Sequence, residues 1–503
     1  MRKNKIIYGV SSDAIMLISV KLVTAVLGLL ITRLLSRYLS VYEYGTYSQI
    51  LLIVSAVSSI TIFGMIDGVN YFYCAERDEQ EKEKCVATMF TLQCIASAFF
   101  GCIVLGLSSP LSVYFKNPDI KKLLMFAAAL PMLQNLINML QVLIISVGRA
   151  SLLALRNLLV SAVRLFVAAV IVCKVRSTWV ILTATLILDC VQIATFYMLL
   201  RRSGCFVRFV RLDFAYVKKI FQYCAPMAIF VIINSVNRDI DKFLVAMWTD
   251  TETQAIYANA SKVLPFDILM TSFATVLVPC IARCFAQKEY HEAARLCKLF
   301  FEIAYISMAI LCCAALAVAP ELMKMLYSNE YTAGLAIFCV YILVDLFKCA
   351  NVTIILSAAG KTKWLMCLGI VSVMGNAALN VLLYNAFGLV GPAVSTLVIT
   401  MITGVIMLCC DAKVLGTHFT RFFDLRFLCV FILESVILTT VLIGMRAWLV
   451  EMDVHYFFII VLVAGLYGAV MLCLNGRRVF TNMKKVNAIS QNISMSSKQK
   501  CDL

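Results

Sequence analysis

The sequence predicts an all-α polytopic membrane protein of about fourteen transmembrane helices. Three observations carry this. The chain of 503 residues is 62% hydrophobic and only 14% charged, with a mean hydropathy of +0.92, whereas soluble chains are about 45–50% apolar and about 25% charged. Its apolar residues are gathered into segments of about 20 or more, the length a helix needs to cross roughly 30 Å of hydrocarbon. Lys and Arg fall mostly in alternate connections, as the positive-inside rule requires.

In chain order the predicted spans are 11–35, 45–73, 86–108, 122–147, 152–173, 178–200, 219–247, 256–284, 297–319, 332–357, 364–385, 389–411, 427–448 and 455–474. Inside hydrocarbon every backbone N–H and C=O must be paired within the segment, which selects helices over open strands. The first span follows a short basic stretch (Arg2, Lys3, Lys5) and reads as uncleaved, because no small-residue cleavage site follows it. A charge run at 75–84 separates spans 2 and 3, and a basic amphipathic linker at 201–219 separates spans 6 and 7. After Asn475 a polar, basic stretch reads as a disordered tail.

With the N-terminus placed in the cytoplasm, the inside connections carry roughly three times as many Lys and Arg as the outside ones. That predicts an even number of spans with both termini inside. It also accounts for most of the net charge of +16 without any nucleic acid. The longest hydrophilic stretches leave no room for a nucleotide-binding domain, and no GxxxxGK[ST] phosphate loop occurs. The 21 cysteines sit mainly in apolar segments and read as reduced filler. The three histidines, His291, His418 and His455, are scattered. No metal, no cofactor and no catalytic residue is expected.

Two pairs of segments match at nearly one offset. Gly45-Thr46-Tyr47-Ser48-Gln49 pairs with Ala255-Ile256-Tyr257-Ala258-Asn259, and Val147-Gly148-Arg149 pairs with Ala359-Gly360-Lys361. This predicts duplicated six-helix lobes at 1–212 and 213–421, then a helix pair at 422–474 and the tail at 475–503. Parallel repeats of this kind enclose a central site and rock around it.

Charges within spans mark that site, because each costs about 2.5–3.5 kcal/mol at mid-bilayer on insertion scales. Lys21 and Arg33 lie in span 1, Arg164 in span 5, and Asp189 with Gln192 in span 6. Span 7 is richest: Asn234, Arg238, Asp241 and Lys242 fall on one helical face, with Asp239 to the side. Two readings stand for this group, a self-satisfying packing network and a cavity lining for an anionic head group. Span 8 adds Lys262 and Asp267 beside Pro265, and span 10 adds Asp345 and Lys348 as a local pair. The slight cationic excess favours an anionic ligand, with Arg suited to phosphate oxygens.

Several motifs resemble one family. They are Leu34-Leu35-Ser36-Arg37-Tyr38-Leu39 with Glu43-Tyr44-Gly45-Thr46-Tyr47; Tyr223-Cys224-Ala225-Pro226 with Asn237-Arg238-Asp239-Ile240-Asp241-Lys242-Phe243; Leu356-Ser357-Ala358-Ala359-Gly360-Lys361-Thr362-Lys363; and Gly375-Asn376-Ala377-Ala378-Leu379-Asn380 with Phe387-Gly388-Leu389-Val390-Gly391-Pro392-Ala393. In order and spacing they resemble the polysaccharide-type (Wzx-like) lipid-linked oligosaccharide flippases of the multidrug/oligosaccharidyl-lipid/polysaccharide exporter superfamily.

The resemblance implies two six-helix lobes plus a terminal pair in a bacterial plasma membrane. It implies transfer of an undecaprenyl-pyrophosphate-type oligosaccharide to the outer leaflet by alternating access. The cavity would be lined by spans 1, 2, 7 and 8, which selects Lys21, Arg33, Arg238, Asp241, Lys242 and Lys262; the residue reading adds Arg164. Membrane lipids are partners, and polysaccharide polymerase machinery is a further candidate. Competing readings are a multidrug/cation antiporter of the related extrusion branch and, from another class, a membrane glycan polymerase or glycosyltransferase. The antiporter would favour acidic cavities, and the enzymes would need catalytic outer loops.

Overall fold

The computed structural model describes residues 2–75, 78–202, 212, 214–262, 264–266, 268, 270, 277, 280–285, 287–348, 353–422 and 424–501, with side chains described within 19–489. Among these residues the chain is helical, with no strand. Among the described residues eleven stretches are long and apolar enough to cross a membrane, or up to twelve if the bent pair Val41–Thr61 and Met65–Cys74 forms one span. One of the eleven, Lys363–Val414, runs to 52 residues. It folds as a hairpin, since its two helices pack against each other on either side of Gly388–Val390. Much of the eighth predicted span, including Asp267, lies outside the described residues.

The chain divides into two compact units, Met1–Ala258 and Asn259–Leu503. The first holds α1 (Arg2–Tyr38), α2 (Val41–Thr61), α3 (Met65–Ala75), α4 (Glu79–Gly106), α5 (Ser108–Tyr114), α6 (Asp119–Ala127), α7 (Leu130–Ser146), α8 (Ala150–Lys174), α9 (Thr178–Arg202), α10 (Phe214–Trp248) and α11 (Thr251–Ala260), which begins within it. Here α1 lies along α8, while α7 packs on α2, α3, α4 and α9. The seventh predicted span, α10, packs in this unit against α2, α3 and α4. Two buried clusters fill it, one around Phe72, Phe90, Leu140 and Phe196 and one around Ile50, Phe115 and Leu124.

The start of α2 shows what the first family motif does. Ser40 caps the helix by accepting the Glu43 N–H, and the Glu43 carboxylate accepts the Ser40 N–H, a reciprocal capping box. At Gly45 a Cβ would stand 2.5 Å from the Thr251 carbonyl oxygen and 3.2 Å from Ala255 Cβ, so only glycine admits this crossing. Ala255 is the residue paired with Gly45 in the internal repeat. Beyond the crossing, Asp250 caps α11 by accepting the Thr253 N–H at 2.7 Å, which holds its carboxyl below the usual range.

Span 2, expected as one helix over 45–73, is broken instead. Phe63 and Gly64 take left-handed φ values of 43° and 69°, and α3 departs at 40°. A Cβ on Gly64 would lie 2.7 Å from the Cys224 carbonyl oxygen, so the break is seated directly on α10.

The second unit holds α12 (Tyr290–Ala317), α13 (Ala319–Leu326), α14 (Leu335–Phe347), α15 (Ile354–Ala358), α16 (Thr362–Phe387), α17 (Gly391–Val414), α18 (Leu425–Glu451) and α19 (Tyr456–Cys501). Gly388 turns the α16–α17 hairpin at a φ of 58°, and a Cβ on Gly391 would stand 2.1 Å from the Leu383 carbonyl oxygen. At the end of α14, Lys348 and Asp345 form the expected local pair at 3.0 Å.

The residues after Asn475, expected as a disordered tail, continue α19 to Cys501. Asn475, Arg478 and Asn482 recur at helical spacing, and their partners give the reason. Arg478 donates to both Glu302 oxygens at 3.2 Å and to Asp424 at 2.9 Å, while Asn482 donates to Glu302 at 2.8 Å. Asn475 reaches Glu434 at 3.3 Å.

The second repeat pair matches in backbone detail. Gly148 and Gly360 have φ of 82° and 68°. The next residue's N–H returns to a carbonyl five residues back in both turns, Arg149 to Ile144 at 3.1 Å and Lys361 to Leu356 at 2.8 Å.

Candidate functional site

Ten residues separate Arg238 from the end of α10 at Trp248, about 15 Å along the axis. The side chain therefore stands about three turns inside an apolar span. The side chain of Arg238 is nevertheless 59% exposed on the surface of the first unit. An exposed guanidinium inside an apolar span needs water or an anionic partner, since hydrocarbon would not accommodate it.

Asp239 holds the group together. Its Oδ2 accepts Arg238 Nε at 3.1 Å and Nη2 at 3.0 Å, and its Oδ1 accepts the Lys242 ammonium at 2.7 Å. Arg238 Nη2 also donates to Ser55 Oγ at 3.1 Å and Ser235 Oγ at 3.3 Å, and Ser235 donates to Ser59 at 2.7 Å. Helix α2 therefore braces the guanidinium from across the interface. One carboxylate serves two cations and leaves one net positive charge. Among the described residues no acceptor takes the donors of Arg238 Nη1 or the remaining Lys242 protons, whose chemistry suits anionic oxygens.

The other predicted residues are placed as follows. Asp241 is buried, and its Oδ2 accepts the Tyr257 hydroxyl at 2.7 Å. Asn234 is exposed and donates to the Phe230 carbonyl at 2.9 Å. Arg164 pairs with the buried Asp189, which also accepts Gln192 Nε2 at 2.7 Å. Gln192 Oε1 accepts Arg156 at 2.8 Å, and Arg156 lies over the Phe196 ring at 3.8 Å. Arg164 borders a cleft of about 190 Å³ with Gly28, Ile31 and Tyr47. Lys21 is exposed and Arg33 half-buried on α1, and among the described residues no ion pair joins either to the α10 group. Lys262 is half-buried in the second unit, its N–H donating to the Asn259 carbonyl at 3.2 Å.

The structure thus brings Arg238 and Lys242 together, gives Asp241 a separate partner, and places Arg164 in a second network. Sequence reasoning sets Asp239 aside, although it is the hub. Its one- and three-residue spacing to the two cations is the available signal. Ser55 and Ser59, four residues apart in span 2, are not singled out by the sequence at all. Neither is Arg156.

A family model described as "Polysaccharide biosynthesis protein" matches residues 34–335. Among curated proteins none is similar enough in sequence to match. Among solved structures, the lipid II flippase MurJ in an inward closed conformation superposes with a TM-score of 0.73 at 14% identity, covering 93% of this chain and all of that one. An inward-facing multidrug resistance MATE family transporter of the MOP superfamily gives 0.64 at 11% identity, covering 80% of this chain and 98% of its own. A MOP superfamily transporter from Pyrococcus furiosus, described as having a reversed binding-pocket polarity, gives 0.58 at 11% identity over 80% and 94% of the two chains. These likenesses show a shared transporter fold. The family model spans more than half of the sequence, and the chain belongs to the polysaccharide biosynthesis protein family.

Proposed function

We propose that this protein is a flippase that carries a polyprenyl-pyrophosphate-linked oligosaccharide from the cytoplasmic to the outer leaflet of a bacterial plasma membrane. The observation that carries the reading is the pairing of the exposed Arg238 and the half-buried Lys242, both fixed by Asp239 inside an apolar span, in a chain of the polysaccharide biosynthesis family. A pyrophosphate is a doubly ionised cluster of acceptor oxygens, and an Arg fork beside a Lys point charge is complementary to it.

The head group is too polar to cross hydrocarbon alone. In our reading lobes 1–212 and 213–421, followed by a helix pair, make fourteen spans with both termini cytoplasmic. They open inward, admit the head group while the lipid tail stays in the bilayer, and then open outward. At about 100 mV, inside negative, each outward-moving negative charge gains about 2.3 kcal/mol. Ion coupling is then not required for direction.

The test is depletion of the protein in its host, with leaflet-specific labelling and mass spectrometry of lipid-linked oligosaccharides. Build-up on the cytoplasmic leaflet supports the reading. An unchanged distribution during active glycan synthesis would overturn it and favour a small-molecule exporter.

A further inference from the structure

Below the break at Gly64, α3 and α10 enclose a cleft of about 410 Å³ lined by Asp67, Asn70, Tyr71, Cys74, Tyr223 and Met227. That size falls within the roughly 300–1,000 Å³ of small-molecule sites. Its chemistry differs from that of the cationic pair. Tyr71 and Tyr223 stack with centroids 4.2 Å apart and planes 15° from parallel, and Phe72 meets Tyr223 edge-on at 5.6 Å. The stack fixes the Tyr71 ring while leaving the residue 46% exposed.

Asp67, one turn before Tyr71, is exposed, and its carboxylate takes no donor from the described residues. The side-chain oxygen of Asn70 accepts Ser146 Oγ at 3.1 Å and Cys74 Sγ at 3.7 Å, which orients its amide nitrogen away from that contact as a donor. A tyrosine of the interfacial belt would face lipid head groups. Tyr71 also shares its cleft with a carboxylate and an amide, groups that need water or a polar ligand.

An open aromatic face, an unoccupied acceptor and an unoccupied donor are together the complement of a sugar ring. The C–H face of a pyranose carries partial positive charge and packs on the electron-rich ring face. Its hydroxyls donate to Asp67 and accept from Asn70. Position supports the same ligand. Helices α2 and α10 run antiparallel, with Ser55 against Arg238 and Ser59 against Ser235, and in α3 Tyr71 lies against Tyr223. Arg238 and Tyr223 are fifteen residues apart on one helix, about 22 Å. A head group held by its pyrophosphate at Arg238 would lay its distal sugars at the tyrosine pair.

We infer that Asp67, Asn70, Tyr71 and Tyr223 form a sugar-binding subsite, separate from the phosphate-binding pair, that selects neutral sugars of the translocated head group; this rests on the flippase reading. The carboxylate of Asp67 repels a uronic acid at the same position.

The test uses full-length protein in nanodiscs and two probes: undecaprenyl pyrophosphate without sugar, and the lipid-linked oligosaccharide purified from the host. Tyr71→Ala and Asp67→Asn are expected to weaken binding of the glycan-bearing lipid at least tenfold and to leave binding of the sugar-free lipid unchanged. Tyr71→Phe keeps wild-type binding of both. Methyl glucoside should compete with the glycan-bearing lipid better than methyl glucuronide does, and Asp67→Asn should narrow that preference. Wild-type binding of the glycan by Tyr71→Ala, or equal loss of both lipids, would overturn the subsite while leaving the flippase reading standing. Wild-type protein that bound neither lipid would overturn both.

Discussion

The Lys242 ammonium reaches Asp239 Oδ1 at 2.7 Å, while the other oxygen of the same carboxylate is taken by Arg238. The contact sets an order of importance among the three residues. Because Arg238 is 59% exposed, its pairing contributes less than about 1 kcal/mol to stability. Arg238→Ala, which leaves the Lys242–Asp239 pair in place, should therefore leave protein levels and thermal stability near wild type and lower transport at least tenfold. The readouts are immunoblotting and cytoplasmic build-up of lipid-linked oligosaccharide. Wild-type transport in this variant would assign Arg238 to packing.

Why Asp239 escapes a reading of the sequence is a matter of side-chain length. A helical wheel ranks residues by backbone direction, and by that measure Asp239 lies off the Arg238–Lys242 face. Both cations have long stems that fold over to reach it. The break in span 2 is hidden for a different reason. The apolar run passes without interruption through Ile62, Phe63 and Gly64, and only the close approach to Cys224 forces the turn. The continuation of α19 is hidden because Asn475, Arg478 and Asn482 look solvent-seeking until Glu302 and Asp424 are placed beside them. What is legible rests on composition and on glycines. The all-helical class follows from hydropathy, and the motif glycines Gly45 and Gly391 mark places where a Cβ would strike backbone.

Gly45 gives a second prediction. Its missing Cβ would meet the Thr251 carbonyl at 2.5 Å, and backbone cannot swing aside as a flexible side chain can. Gly45→Ala should destabilise by about 1–3 kcal/mol, seen as a lower midpoint in thermal size-exclusion measurements. At Gly28 a Cβ would enter open space, with nothing within 4 Å. Gly28→Ala is thus the matched control and should hold or raise the midpoint, by up to about 1 kcal/mol of helix propensity. Equal effects at both sites would remove the close crossing as the cause.

The buried Asp189 leads to a third. It joins Arg164 of α8 to Gln192 of α9, and Gln192 in turn holds Arg156. Removing the carboxylate strands polar groups in the protein interior. Asp189→Ala should cost about 3 kcal/mol, at the lower end for a broken buried pair because Arg164 is partly exposed. Arg164→Met in the same chain should recover part of that loss. Additive losses in the double-mutant cycle would show that the two side chains act independently.

Asp424 supplies a prediction that is read by pH. It caps α18 by accepting the Phe427 N–H at 3.3 Å, and it accepts Arg478 from α19 at 2.9 Å. The Arg478 hydrogen bond, and after it the Phe427 N–H, hold its carboxyl below the usual range. A carboxyl whose folded pKa is depressed binds its proton less readily in the folded state. Its contribution to stability is therefore present above the unfolded value of about 3.9 and is lost as pH falls through the depressed folded value. Asp424→Asn should lower the thermal midpoint at pH 7, and the gap to wild type should close below about pH 4. The neighbouring Glu302→Gln, which leaves Asp424 and its cap in place, should lower the midpoint at pH 7 through the weakened Arg478 clasp. A gap at Asp424→Asn that persisted unchanged into acid would mean that the side chain acts there through shape and not through its charge.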